Sequence, residues 1–224
     1  MFDRVRINKF LFDIGIRKIL PAEYIRRIKI NECGESLIKV SKYVERTECK
    51  NINQIDGFYI RSSVVEKLEY VQNKIVQEGY KLELLSAYRS KEEQTKLWEQ
   101  EYQIVYNNNA NLEISEIERL TSLKVANPQK GFGGHQTGGA IDITLCYSSG
   151  ERLDMGTNYL EFSEKTFTSS KDISKDAIKN RKRLLFILEQ EMFVNYPSEW
   201  WHFSFGDALW AAYLKKFEAI YGVV

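Results

Sequence analysis

Two histidines serve a chain of 224 residues, and each sits among groups that could do chemistry with it. His135 lies in Gly133-Gly134-His135-Gln136-Thr137-Gly138-Gly139-Ala140-Ile141-Asp142, ahead of a carboxylate embedded in an apolar run. His202 closes Glu199-Trp200-Trp201-His202, just after a glutamate. Two imidazoles and a carboxylate make a ligand set for catalytic zinc, in which three protein ligands leave a fourth position for water. A nearby glutamate can take that water's proton. The metal candidates are therefore His135, Asp142 and His202, and Glu199 is the candidate general base.

Each residue also has a plainer reading. His135 could be a structural histidine in a glycine-rich loop, Asp142 a hydrogen-bonded strand residue, and Glu199 a surface group beside buried tryptophans. Against this, a carboxylate between Ile141 and Ile143 is costly to bury unless it is paired or metal-bound. The apolar setting of Glu199, between Pro197 and two tryptophans, should raise its pKa toward the working range of a base. Arg89 could stabilise an oxyanion, since a fixed donor acts most strongly where charge develops; an ordinary surface arginine is the alternative. Cys146 has no third histidine to activate it, and no G-x-S-x-G elbow is present, so nucleophilic catalysis is the weaker reading.

These residues need particular elements to bring them together. In one continuous strand, His135 and Asp142 would face opposite ways, so the glycines at 138 and 139 should set His135 on a turn and Asp142 on a strand over Ala140 to Leu145. Glu199 and His202 raise the same parity problem, which calls for a bend near Ser198-Glu199 before a strand carrying Trp201, Phe203 and Phe205. Val64, Leu68, Val71 and Ile75 form one helical stripe, ended at Gly79 by a left-handed cap. Leu82, Leu84 and Leu85 read as a buried strand. Ser90 and Glu93 match a capping box opening a helix from Lys91 to about Tyr106, which puts Arg89 at a strand-to-helix junction. Ser115 and Glu118 suggest a second capping box, with a short helix reaching Lys124. Ser148-Ser149-Gly150 suggests a hairpin loop, Ser163 to Lys175 a loop, and Asn180 to Met192 a helix. Helices and short strands are mixed without βαβ winding, so the class is α+β.

Composition narrows the function further. A net charge of +1, with both signs interspersed, leaves no footprint for nucleic acid or an anionic membrane. No apolar run reaches the length of a membrane span. Arg4, Arg6, Lys9, Asp13, Arg17 and Lys18 interrupt any signal-peptide core, so a cytoplasmic protein is expected. Cys33, Cys49 and Cys146 are odd in number and lack metal-type spacing, which suits reduced thiols. Residues 1–50 are expected to pack on or over a catalytic domain spanning 51–224.

Taken together, Ser86-Ala87-Tyr88-Arg89-Ser90 before a helix, His135-x-x-Gly138-x-Ala140-x-Asp142, and Glu199-x-x-His202 resemble the zinc D-Ala-D-Ala peptidases. The motifs follow that family's order over roughly residues 56–206. Leu153-Asp154-Met155-Gly156-Thr157, the doubled tryptophan and Asp56-Gly57-Phe58-Tyr59-Ile60-Arg61 are similar to its VanX-type dipeptidase branch. His135-Gln136-Thr137-Gly138 is phrased as in the carboxypeptidases. The resemblance implies a small central antiparallel sheet with flanking helices and a zinc site in a cleft over the sheet. It implies zinc on His135, Asp142 and His202, with Glu199 as base and Arg89 polarising the substrate carbonyl. Tyr159, Glu161 and Thr137 are the implied substrate-binding residues. Two positions depart from the pattern: Gly133 stands where the family has serine, and Leu160 where the dipeptidases have an aspartate for the substrate amine. Glu161 is the available replacement.

The expected activity is zinc-dependent hydrolysis of D-Ala-D-Ala or a similar D-amino-acid-containing dipeptide, a small peptide being the partner. A D,D-carboxypeptidase or endopeptidase acting on longer peptidoglycan peptides is the alternative. A non-catalytic zinc-binding module is a second one, disfavoured by the presence of both Glu199 and Arg89.

Overall fold

A computed structural model describes residues 4–44, 57–129 and 133–224. Cys49, Asp56 and Gly131 lie outside the described residues. The order is α1 (Arg4–Asp13), α2 (Ala22–Ile25), β1 (Lys29–Ile30), β2 (Leu37–Ser41), β3 (Gly57–Arg61), α3 (Ser62–Ile75), β4 (Tyr80–Ser86), α4 (Lys91–Asn108), α5 (Ile114–Thr121), β5 (Ala140–Tyr147), α6 (Lys175–Glu189), β6 (Val194–Asn195), β7 (His202–Ser204), α7 (Ala208–Tyr213) and β8 (Glu218–Ala219). The architecture is α+β. Among the described residues, no helix is long and apolar enough to cross a membrane.

The central sheet runs β4-β5-β7-β6, every neighbouring pair antiparallel. Side chains alternate across it. Leu82 and Leu84 of β4, Ile141, Ile143 and Leu145 of β5, and Phe203 of β7 are fully buried, in one core with the α3 stripe Val64, Leu68, Val71 and Ile75 and with Leu184 and Leu188 of α6. The other face carries polar groups. Asp142 pairs in register with Ser86 on one side and His202 on the other, so one row across three strands holds two candidate ligands.

Earlier and later chain segments interlock around this sheet. The β2 strand pairs antiparallel with β3, and β1 pairs parallel with β8. Arg61, at the end of β3, is buried and ties three segments together. Its guanidinium meets both carboxylate oxygens of Glu32 at 3.0 Å, the Thr137 carbonyl at 2.7 Å and the Gly222 carbonyl at 3.3 Å, and it also meets the Glu35 carbonyl.

Several local expectations match what is seen. The α3 stripe is buried, Gly79 caps it at φ 82°, and the Ser90–Glu93 capping box is present in both directions. Others need correction. The α5 helix begins at Ile114 after Glu113, so Ser115 lies inside its first turn and caps nothing; Glu116 instead pairs with Arg119 at 2.7 Å. The α6 helix begins at Lys175, not near Asn180, because the Ser174 hydroxyl accepts from the Ala177 amide and starts the helix within the expected loop.

Candidate metal centre

His135 sits on a single 3-10 turn, Gly134–Thr137, which Gly138 closes at φ 71° before β5 begins. Gly139 is needed there, since a Cβ would collide with the Phe205 carbonyl oxygen. The turn separates His135 from the strand alternation, and Asp142 follows on β5. On the other side, the Glu199 amide donates to Tyr196 O at 3.0 Å and the His202 amide to Glu199 O at 3.2 Å, which is the bend needed before β7.

The ligand atoms of His135, Asp142 and His202 lie within 4.8 Å of one another. Asp142 Oδ1 is 3.3 Å from His135 Nε2 and 3.0 Å from His202 Nδ1. The two imidazole rings stand edge to face with centroids 4.9 Å apart. His135 Nδ1 lies 2.7 Å from the Ala87 carbonyl, which only accepts, so the proton is on Nδ1 and the Nε2 lone pair points at the carboxylate. Burial lowers the His135 pKa and so favours the neutral ring. A neutral lone pair and a carboxylate oxygen therefore face each other, an arrangement that a cation between them resolves. Nitrogen, nitrogen and oxygen donors, with one imidazole anchored through its second nitrogen, fit zinc.

Burial alone would raise the Asp142 pKa, but the hydrogen bond from His202 Nδ1 helps to hold its carboxyl well below the usual range. His202 moves the other way from His135: burial opposes its charged form, yet the bond to Asp142 raises its pKa.

Glu199 is raised from 4.5 to about 7, first by removal of its carboxyl from water and then by the nearby Asp142 charge. Trp201 Nε1 donates to its Oε2 at 3.0 Å. Arg89 projects from the β4–α4 junction toward Asp142, with Nη2 3.8 Å from Oδ2. Ser86 Oγ at 3.0 Å and Gln94 Oε1 at 3.1 Å hold its guanidinium.

Of the three implied substrate contacts, Thr137 is fully buried, and its hydroxyl donates to Gly134 O at 2.6 Å while accepting from the Gly139 amide at 3.0 Å, so it helps to build the turn. Glu161 is exposed and accepts from the Asn158 amide at 3.2 Å, on the rim of a cavity shared with Thr144, Tyr159 and Trp200. Tyr159 directs its hydroxyl at Asp142 Oδ2, 2.7 Å away.

Two residues that sequence reasoning missed also serve the site. Asn195 Nδ2 donates to Glu199 O at 3.0 Å and His202 O at 2.9 Å, clamping both ends of the bend. Gln94, buried on α4, orients Arg89 and is itself held by Ala126 O at 2.8 Å. A glutamine four residues after a helix cap was the available signal for Gln94. Nothing local marks Asn195.

The chain is 29% identical over 161 residues to a D-alanyl-D-alanine dipeptidase of Enterococcus faecium, covering 70% of this chain and 76% of that protein. It is 36% identical over 88 residues to one from Synechocystis sp., covering 34% of this chain and 36% of the relative's length. An Escherichia coli D-alanyl-D-alanine dipeptidase is 38% identical over 74 residues, covering 33% of this chain and 38% of its own length. Among solved structures, VanYB in complex with D-Alanine-D-Alanine aligns with a TM-score of 0.46 at 16% identity, over 76% of this chain and 87% of that one. The LdcB LD-carboxypeptidase aligns at 0.48 and 22%, over 83% and 74%. The family model described as D-ala-D-ala dipeptidase matches residues 29–220, most of the chain, and the protein belongs to the Peptidase M15 family.

Proposed function

We propose that the protein is a zinc-dependent peptidase hydrolysing D-Ala-D-Ala or a similar D-amino-acid-containing dipeptide, with His135, Asp142 and His202 as the metal ligands. The observation that carries this is the convergence of the three ligand atoms within 4.8 Å beside a carboxyl raised to about 7. Family membership and the dipeptidase relatives support the substrate class.

Zinc bound there supplies Lewis acidity to the scissile carbonyl and to the attacking water. Glu199 accepts a proton from that water and delivers it to the leaving amine, a role its raised pKa suits near neutral pH. Trp201 restrains the carboxylate during both transfers. Arg89, steadied by Ser86 and Gln94, donates to the developing oxyanion without having to reorganise. Asn195 keeps Glu199 and His202 in one rigid bend. A cytoplasmic location belongs to the same proposal, and Cys33 and Cys146, free thiols among the described residues, are in keeping with it.

One observation favours the carboxypeptidase reading. Leu160 offers no carboxylate to a substrate ammonium, and Glu161 already accepts from its own loop. The test is release of D-alanine by zinc-loaded protein, comparing free D-Ala-D-Ala with an N-blocked peptide ending in D-Ala-D-Ala. Turnover of the free dipeptide alone supports the dipeptidase, turnover of the blocked peptide supports the carboxypeptidase, and turnover of neither rejects both.

A further inference from the structure

The Tyr159 hydroxyl lies 2.7 Å from Asp142 Oδ2, and an ionised carboxylate only accepts, so the phenol is the donor. The bond is made to Oδ2, which Arg89 Nη2 also faces at 3.8 Å, while Oδ1 stands 3.3 Å from His135 Nε2 and 3.0 Å from His202 Nδ1. The two carboxylate oxygens therefore have separate duties. From this geometry we infer that Tyr159 is a positioning residue for the metal centre: its hydroxyl holds Asp142 so that one oxygen only is presented to the metal.

The phenol is itself well held. Its ring packs edge to face on Trp201 with centroids 5.4 Å apart, and Trp201 is the residue whose indole restrains Glu199. The preceding loop is pinned from both sides: Arg181 Nε donates to Met155 O at 2.7 Å, and Trp200 Nε1 to Thr157 Oγ1 at 2.9 Å. A hydroxyl carried on such a loop can set the carboxylate's orientation instead of following it. One aromatic pair, Tyr159 and Trp201, thus carries the partner of a metal ligand and the partner of the base. This differs from the substrate contact that the sequence implied for Tyr159.

The inference rests on the reading of His135, Asp142 and His202 as metal ligands, and the test separates the two. Tyr159→Phe removes the hydroxyl and keeps the ring on Trp201, so the fold should survive. Zinc affinity is measured by competition with a chromogenic chelator, and coordination by the visible absorption of the cobalt-substituted protein. Removal of a bond of this kind is expected to weaken zinc binding on the order of 10-fold. Freed to engage through both oxygens, Asp142 should also raise the coordination number and weaken the cobalt bands. Tyr159→Leu, which also loses the ring, should show at least the same metal defect. Wild-type zinc affinity and cobalt spectrum in Tyr159→Phe, with only KM raised, would overturn the inference and restore a substrate contact. Failure of the wild-type protein to take up zinc would overturn the functional reading and this inference with it.

Discussion

Trp201 Nε1 donates to Glu199 Oε2 at 3.0 Å, so a fully buried indole two residues along the chain aims the candidate base. Backbone closure of the bend from Tyr196 to His202 makes that contact possible. Glu199→Ala is accordingly expected to lower kcat by roughly 100- to 10,000-fold while zinc stays bound. Equilibrium dialysis alongside the activity assay checks both halves; loss of metal together with activity would point to a structural role instead.

The pH profile follows from the same group. A base must be deprotonated to act, and burial raises Glu199 from 4.5 to about 7, so activity should climb with pH across the acid limb. A bound cation favours the carboxylate form and draws that limb to or below about 7. A kcat/KM profile that falls with rising pH over this range would contradict the assignment.

Metal removal gives a separate readout. Dialysis against a chelator should abolish hydrolysis, and zinc should restore it. Free zinc at a hundred times its dissociation constant adds about 2.7 kcal/mol to stability if only the folded chain binds it. His202→Ala should erase that zinc-dependent rise in Tm.

Away from the centre, Glu83 predicts acid sensitivity. Burial pushes its carboxyl up, but Arg152 at 2.7 Å, Lys42 and the Cys146 thiol bring it down from 4.5 to about 2. A folded-state pKa below the unfolded value means the stabilisation is complete above about 4.5 and is lost as pH falls through about 2. Glu83→Gln should cost roughly 2 kcal/mol at neutral pH. The gap in Tm between variant and wild type should shrink on acidification from pH 5 to pH 3, as roughly expected from that linkage.

Leu160 adopts φ 63°, a left-handed conformation that is unfavourable for a branched side chain, and it is 53% exposed. Leu160→Asn should stabilise by about 0.5 kcal/mol, because asparagine tolerates this region and little burial is lost. That corresponds to a rise of roughly 1–2 °C in Tm. Arg61→Met should do the opposite and cost about 3 kcal/mol, since the buried Thr137 and Gly222 carbonyls and the half-buried Glu35 carbonyl lose a donor, as does Glu32.

The sequence by itself determined the local pieces and the chemical inventory. The α3 stripe, the Gly79 cap and the Ser90–Glu93 box were legible because each depends on residues within a turn or two of one another. His135 and His202 were legible because the chain holds only two histidines, Asp142 and Glu199 because each is a carboxylate in an apolar setting near one of them, and the glycines after His135 forecast the break in strand parity.

Tertiary structure decided how the pieces meet. The register that sets Asp142 opposite His202 depends on pairing β5 with a strand sixty residues later, and a one-residue slip would turn His202 to the opposite face. The Ala87 carbonyl matters only through such long-range placement, 48 residues from His135, so no local pattern announces it. The same reason governs two of the implied substrate residues: the Thr137 hydroxyl bonds within its own turn, and the Tyr159 hydroxyl meets Asp142 while its ring packs on Trp201.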